Sequence, residues 1–338
     1  MMREMNVMKI RKVNLLILLL VSLVFALAGC NQSSEKASGN EGLGDYPSQP
    51  IEAIIAFNAG GGTDVAARTV LRYAEEYADT SFAVLNKPGA AGEIGFTTLA
   101  NAEPDGYTIG MINPPTTLLH PIQRPDEVKY TLDDFKLIAN VVSDPGALVV
   151  KADSSINSLK DLFDAVRKKP DLNLAYGGPG TSEALTLRRI EEMEDISFNK
   201  IPFEGTSPAL SALLGGHVEV LITNASEVVS QLKDGKIKVL AVGAEERIDM
   251  MPDVPTYKEE GLDLIQVSMR GFAAPKGISD EQQKFLADVI KKTMEDEEFQ
   301  KKAEEMALPL DYKGPEEYKE FLEDMNKDLQ EEYEKNPW

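Results

Sequence analysis

From residue 51 onward the chain repeats one pattern: a short apolar run, a polar turn rich in glycine, then apolar residues at helical spacing. The run at 51–57 leads into Asn58-Ala59-Gly60-Gly61-Gly62-Thr63-Asp64, after which Val65, Ala66, Thr69, Val70 and Tyr73 share one helical face. The pattern predicts strand, glycine loop and helix. The next unit repeats it, with a strand at 82–85, a loop at 86–92, a helix near 94–100, the turn Pro104-Asp105-Gly106 and a strand at 107–112. Strands alternating with helices predict a mainly parallel sheet.

The alternation resumes with a strand near 147–151 and a helix opened by Ser158-Leu159-Lys160-Asp161 that ends before Pro170. Leu159, Leu162, Phe163 and Val166 form its stripe, and the opening resembles a capping box. A strand at 172–176 follows, and the turns 177–182 and 203–208 each open a further helix, the second ending at Gly215-Gly216. A strand beginning at His217 runs to Thr223 and leads into Asn224-Ala225-Ser226 and another helix, and a strand at 237–242 leads out. The stretch 268–272 is apolar and strand-like, and the C-terminal part is helical: Ser279 and Gln282 form a capping box, and Pro315 starts a helix carrying Tyr318, Phe321, Leu322, Met325 and Leu329.

About 290 residues in this pattern exceed one ordinary core, so two α/β lobes are expected. No polar linker separates them, which favours lobes joined by crossing strands at 141–147 and 240–244, with a hinged cleft between. Lobe 1 is then 46–142 plus 241–338, and lobe 2 is 143–240.

The first residues carry a different signal. Lys9, Arg11 and Lys12 precede an apolar run at 13–26 that is too short to span a bilayer comfortably. The run ends in Leu27-Ala28-Gly29-Cys30, similar to a bacterial lipobox, and Cys30 is the one cysteine of 338 residues. Residues 1–29 are therefore expected to be a lipoprotein signal peptide and Cys30 the diacylated anchor, which places the protein outside the cytoplasm at the membrane face. Residues 30–45 are Ser, Gly, Asn and Glu with few apolar side chains and read as a flexible tether. With its cysteine so assigned, the exported part has no disulfide and must rely on a hydrophobic core.

The formal charge is -21 for the whole chain. That acidity excludes nucleic acid as a partner. It also gives no broad positive funnel for an anion, so a carboxylate would have to be held by local donors.

Open α/β sheets bind ligands at the carboxyl ends of their strands, where helix N-termini present unpaired N–H groups. Gly60, Gly61, Gly62, Thr63 and Asp64 form one such end, which reads either as a carboxylate site or as a tight turn. It has neither G-x-G-x-x-G nor a lysine after the glycines, so a nucleotide is not expected. Gly180-Thr181-Ser182, Gly205-Thr206-Ser207 and Asn224-Ala225-Ser226 also open helices, and singly each reads as an N-cap. Together they are what a polar-ligand cleft requires. His120 and His217 lack a partnering nucleophile motif and metal-ligand spacing, so neither an enzyme nor a metal site is expected. His217 reads as a strand start, and His120, near the end of a ligand-facing loop, reads as a loop-packing residue, with a place in the cleft lining as the alternative. Arg270, in the apolar stretch Ser268-Met269-Arg270-Gly271-Phe272, needs a partner if buried; an ion pair and a ligand contact are both open. No cofactor is expected.

Many ordered segments resemble the substrate-binding proteins of tripartite tricarboxylate transporters, the Bug family. They include Tyr46-Pro47-Ser48-Gln49-Pro50-Ile51, Gly61-Gly62-Thr63-Asp64, Asn86-Lys87-Pro88-Gly89-Ala90-Ala91-Gly92-Glu93-Ile94-Gly95 and Pro104-Asp105-Gly106-Tyr107-Thr108. Phe203-Glu204-Gly205-Thr206-Ser207-Pro208-Ala209-Leu210, Pro252-Asp253-Val254-Pro255-Thr256 and Gly271-Phe272-Ala273-Ala274-Pro275 continue the likeness. The resemblance implies a type II periplasmic-binding-protein fold closing on a small carboxylate, and two membrane-embedded partner subunits, one large and one small. It maps the first ligand loop onto Ala59 through Asp64 and its companions onto Asn113, Thr116 and Thr117, onto Gly178, Gly180, Thr181 and Ser182, onto Thr206 and Ser207, and onto Asn224 and Ser226. The chain departs from the family in having Asn58-Ala59-Gly60 where a proline-rich approach is usual, and in lacking the usual aromatic near Arg270. Arg270 is expected to fork onto a second, distal carboxylate. The resemblance also permits an orphan receptor that feeds a sensor; a secreted hydrolase lacks any nucleophile–base pair.

Overall fold

The computed structural model describes residues 43–338; the leader, Cys30 and the tether as far as residue 42 lie outside the described residues. The first units become β1 (Ile51–Ile55), α1 (Gly62–Ala78), β2 (Phe82–Asn86), α2 (Glu93–Ala100) and β3 (Thr108–Ile112). Strand β1 has β2 and β3 as parallel neighbours, as βαβ connections require. Helix α3 (Thr116–Gln123) and the long strand β4 (Phe135–Lys151) follow.

The second block is α4 (Leu159–Lys168), β5 (Asn173–Tyr176), α5 (Ser182–Glu194), β6 (Asn199–Pro202), α6 (Thr206–Leu214), β7 (Val220–Asn224), α7 (Val229–Lys233) and β8 (Ile237–Val242). Here β5 runs parallel to β6 and β7. The chain ends with β9 (Val267–Pro275), α8 (Asp280–Glu295), α9 (Glu297–Glu305), β10 (Leu310–Lys313) and α10 (Pro315–Lys335). The strand order is β2-β1-β3-β9-β4-β7-β5-β6, with β8 and β10 also pairing with β4. Every pair made by β4 is antiparallel, so parallel units flank an antiparallel centre. His217 lies in the turn before β7 rather than starting the strand, its N–H bonded to the Ala212 carbonyl at 2.9 Å.

The caps are local. Ser158 Oγ accepts the Asp161 N–H at 3.1 Å, and Ser279 and Gln282 exchange two bonds at 3.0 and 3.1 Å, satisfying N–H groups that the helix leaves open. Pro315 begins α10, where its missing N–H has no consequence.

Helices cover both sheet faces. Ile51, Ala53 and Ile55 of β1 pack with Ala66, Ala67 and Val70 of α1, while Ile54 and Ala56 face Phe96, Leu99, Tyr318 and Leu322. Strand β4 divides likewise, Leu148 and Val150 entering one core and Ala147 and Val149 another. Burial on both faces explains apolar runs without polar alternation. Among the described residues no helix is long and apolar enough to cross a membrane.

The sequence pattern places a strand near 147–151 and a crossing at 141–147 but misses that β4 is one strand beginning at Phe135. At Pro145-Gly146 it changes partners, pairing with β9 up to Pro145 and with β7 from Gly146 onward. A proline fits at such a hand-over, where a ladder N–H is not needed. Three crossing segments meet at this point in a ring of backbone bonds: Gly146 N–H to the Gln266 carbonyl at 2.8 Å, Gln266 N–H to Gly243 at 2.9 Å, and Gly243 N–H to Gly146 at 2.8 Å. A Cβ on Gly146 would fall 1.9 Å from Gln266 Cδ, and one on Gly243 would fall 2.8 Å from the Gln266 carbonyl oxygen.

Gly146→Ala is therefore expected to lower stability by about 1–3 kcal/mol, the usual cost of overpacking. Adding Gln266→Ala recovers part of that loss, since the obstacle to Gly146→Ala is a side chain. Gly243→Ala, which meets backbone, gains nothing from the same second change. Denaturant unfolding of the single and double variants measures both statements.

Candidate functional site

The strand ends and helix starts of both blocks face one another across a cavity of about 810 Å³. One wall comes from the turn after β1, the turn at 88–92 and α3; the other comes from the starts of α5 and α6 and the end of β7. Helix N-termini concentrate there because each βα unit ends its strand and begins its helix at the same edge.

Of the residues expected to bind ligand, Ala59, Gly61, Gly62, Thr63, Asn113 and Thr116 line the first wall. Gly178, Gly180, Thr181, Ser182, Thr206, Ser207 and Asn224 line the second, and Arg270 lies at the base. Gly60, Asp64, Thr117 and Ser226 do not line it. Asp64 turns back, accepting the Gly60 N–H at 2.8 Å, Arg68 Nε at 2.9 Å and Asn86 Nδ2 at 2.8 Å. Burial opposes its charge, but Arg68 and the other two donors outweigh that and hold its carboxyl below the usual range. Thr117 Oγ1 accepts the Asn113 N–H at 2.8 Å, and Ser226 donates its N–H to Asp144 at 3.1 Å. These four brace the wall from behind.

The lining side chains bond mainly to one another. Asn113 Nδ2 donates to Thr63 Oγ1 at 2.9 Å, and Thr116 Oγ1 accepts the Ser182 N–H at 3.2 Å, a contact between the walls. Thr181 caps α5 by accepting the Ala184 N–H at 3.3 Å. The largest departure from expectation is Glu227. Its Oε1 accepts the Gly62 N–H at the start of α1 at 3.1 Å. Its Oε2 accepts Thr206 Oγ1 at 2.6 Å, Thr223 Oγ1 at 3.0 Å and Asn224 Nδ2 at 3.3 Å. One carboxylate thus joins a helix start on each wall.

Arg270 is 1 % exposed and has a protein partner: Nη1 meets Asp144 Oδ2 at 2.7 Å and Nη2 lies 3.9 Å from Glu227 Oε1. Burial opposes the guanidinium charge, yet Asp144 and Glu227 more than compensate and push its pKa up. Of the two readings open from sequence, the ion pair is present.

His120 sits on α3 rather than in a loop, is buried, and takes the cavity-lining place of its alternative reading. Its Nδ1 is 3.0 Å from Tyr130 Oη, and burial pushes the imidazole down to about 4, so it is neutral at neutral pH. Glu183, Glu227 and Arg124 also line the cavity and were missed. A signal existed for Glu227, which stands three residues after Asn224 in the spacing of a capping box. Burial raises the Glu183 carboxyl, and Glu227 adds to that. Among the described residues no group of three or more His, Cys, Asp or Glu is placed to hold a metal ion.

Residues 66–333 match the model of the tripartite tricarboxylate transporter family receptor. A protein of Cupriavidus necator, the UPF0065 protein in the gbd 5' region, is 30% identical over 281 residues, covering 82% of this chain and 84% of that protein. The structure of the periplasmic binding protein BugD is 28% identical with a TM-score of 0.79, covering 86% of this chain and 98% of that one. MatC of Rhodopseudomonas palustris, solved with bound malate, is 25% identical with a TM-score of 0.72, covering 77% and 90%. The fold shared with these structures is the two-lobed type II periplasmic-binding-protein fold.

Removing one partner of a buried ion pair strands the other, at a cost of about 3–5 kcal/mol. Asp144→Asn and Arg270→Met are each expected to lose stability on that scale. The double variant Asp144→Leu/Arg270→Met recovers most of the loss. Urea unfolding of the three variants measures this, and additive losses would show that the pair is not the source.

Proposed function

The chain belongs to the tripartite tricarboxylate transporter family of receptors, and on that premise we propose that it captures a small organic acid in its cleft and delivers it to a membrane transporter. Receptors of this kind are solute-binding proteins rather than catalysts and act outside the cytoplasm. The observation that carries the reading is the cavity of about 810 Å³ bounded by helix starts of both blocks, a size and lining suited to a small polar solute. MatC, which shares the fold and 25% of the sequence, holds malate.

In this reading lobe 1 is 46–142 plus 241–338 and lobe 2 is 143–240. The hand-over of β4 between Pro145 and Gly146 supports a hinge close to those limits. The solute meets the turns at 59–63, 178–182 and 205–208, whose backbone N–H groups and small hydroxyls orient its polar groups, and the lobes close over it. Cys30 carries the acyl anchor, 30–45 spaces the receptor from the bilayer, and a large and a small membrane subunit accept the solute.

Two measurements test this. A thermal-shift screen of the purified protein against mono-, di- and tricarboxylates should reveal at least one binder, because a solute at 100 times its Kd adds about 2.7 kcal/mol. A flat screen, with no small molecule released on denaturation, would reject the receptor. For the anchor, cells fed a labelled fatty acid should label the wild type and not Cys30→Ser. Equal labelling of both would reject it.

A further inference from the structure

Several donors at the helix starts around the cleft are already occupied by carboxylates of this chain. Glu227 takes the Gly62 N–H together with the hydroxyls of Thr206 and Thr223. Glu183 folds onto the start of α5, where Ser182 Oγ donates to it at 3.2 Å. A solute carboxylate approaching either helix start would meet another carboxylate.

The charges point the same way. Arg124 and Arg270 are the lining cations, and both are paired within the protein, with Glu93 and Asp144 respectively. Glu183, Glu204 and Glu227 line the same cavity, so its lining sets three carboxylates against two cations that are already paired. Like charges at close range in a partly desolvated cleft repel strongly, so a solute bearing only negative groups is disfavoured.

An independent observation identifies the missing group. Asn224 is 8% exposed and lines the cavity, and its Oδ1 is buried with no hydrogen-bond partner among the described residues. The orientation of its amide is fixed, because Nδ2 faces Glu227, which as a carboxylate only accepts. An unfilled, buried acceptor therefore lies beside Glu227 on a residue of the cavity lining, and a buried acceptor left unpaired is costly. An ammonium group, with three N–H donors and one positive charge, meets both requirements.

We propose that the solute carries an ammonium group as well as a carboxylate, and that Glu227 and Asn224 Oδ1 receive the nitrogen, with Glu183 adding charge nearby. Arg124, whose side chain is 41% exposed, is left to meet the carboxylate. The inference rests on the solute-receptor reading and narrows it from organic acids in general to zwitterions.

Calorimetric titration of the purified protein with matched pairs tests it: aspartate against malate, and 5-aminopentanoate against glutarate. The ammonium-bearing member of at least one pair should bind tenfold or more tightly, and Glu227→Gln should cut that preference at least tenfold. Should Glu227→Gln not fold by circular dichroism, the same comparison on Glu183→Gln is expected to show a reduced preference. Binding of the diacids as tightly as their partners would overturn the inference and leave the receptor standing, since Glu227 would then have swung aside to free its donors. An unchanged preference in a folded Glu227→Gln would overturn it as well. If nothing binds and denatured protein releases no small molecule, the receptor reading fails and the inference with it.

Discussion

The ring of three backbone hydrogen bonds among Gly146, Gly243 and Gln266 is the constraint on which the rest of the molecule hangs. It requires three chain segments to pass within bonding distance where the sheet changes partners, and two of them carry glycine at the contact. Strand β4 runs through that point, taking β9 and β10 on one side and β7 and β8 on the other. The helix starts that form the two walls are therefore referred to one short piece of backbone. Just along β4 and β9 from the ring lie Asp144 and Arg270, a buried pair that Ser226 and Glu227 complete. Backbone crossing and charge cluster together fix the floor of the cleft.

Much of the architecture could be read from residue patterns because its causes are local. Glycine turns after apolar runs, Ser158 and Ser279 at helix starts, and Pro315 at the first turn of α10 all act within a few residues. The full length of β4 could not be read that way. Pro145-Gly146 is a breaker in isolation and becomes strand only because Gln266 and Gly243 approach from more than 90 residues away. Tertiary pairing overrides local preference at such places.

The candidate site was legible in its position and less so in its chemistry. The turns expected to form a cleft do form one, because the edge of an α/β sheet collects helix starts. Their donors were read as open to a ligand, whereas Gly62 and Thr206 bond to Glu227 across 165 and 21 residues of sequence. Asp64, Thr117 and Ser226 have the right residue types for binding but bond inward instead. Sequence indicates which groups are able to donate; only packing decides where they point.

Because Glu227 ties the start of α1 to Thr206 and Thr223 within the chain, those donors are satisfied before any solute arrives and gain little from it. Polar contacts with the solute then fall to the few groups still unfilled. The net driving force then falls to the apolar parts of the wall, among them Phe57, Pro88, Pro179 and Phe203, which release water when covered. Among solutes that satisfy the unfilled groups, affinity follows how well the solute's carbon skeleton fits those surfaces. Its polar groups act chiefly as a filter on which skeletons are admitted.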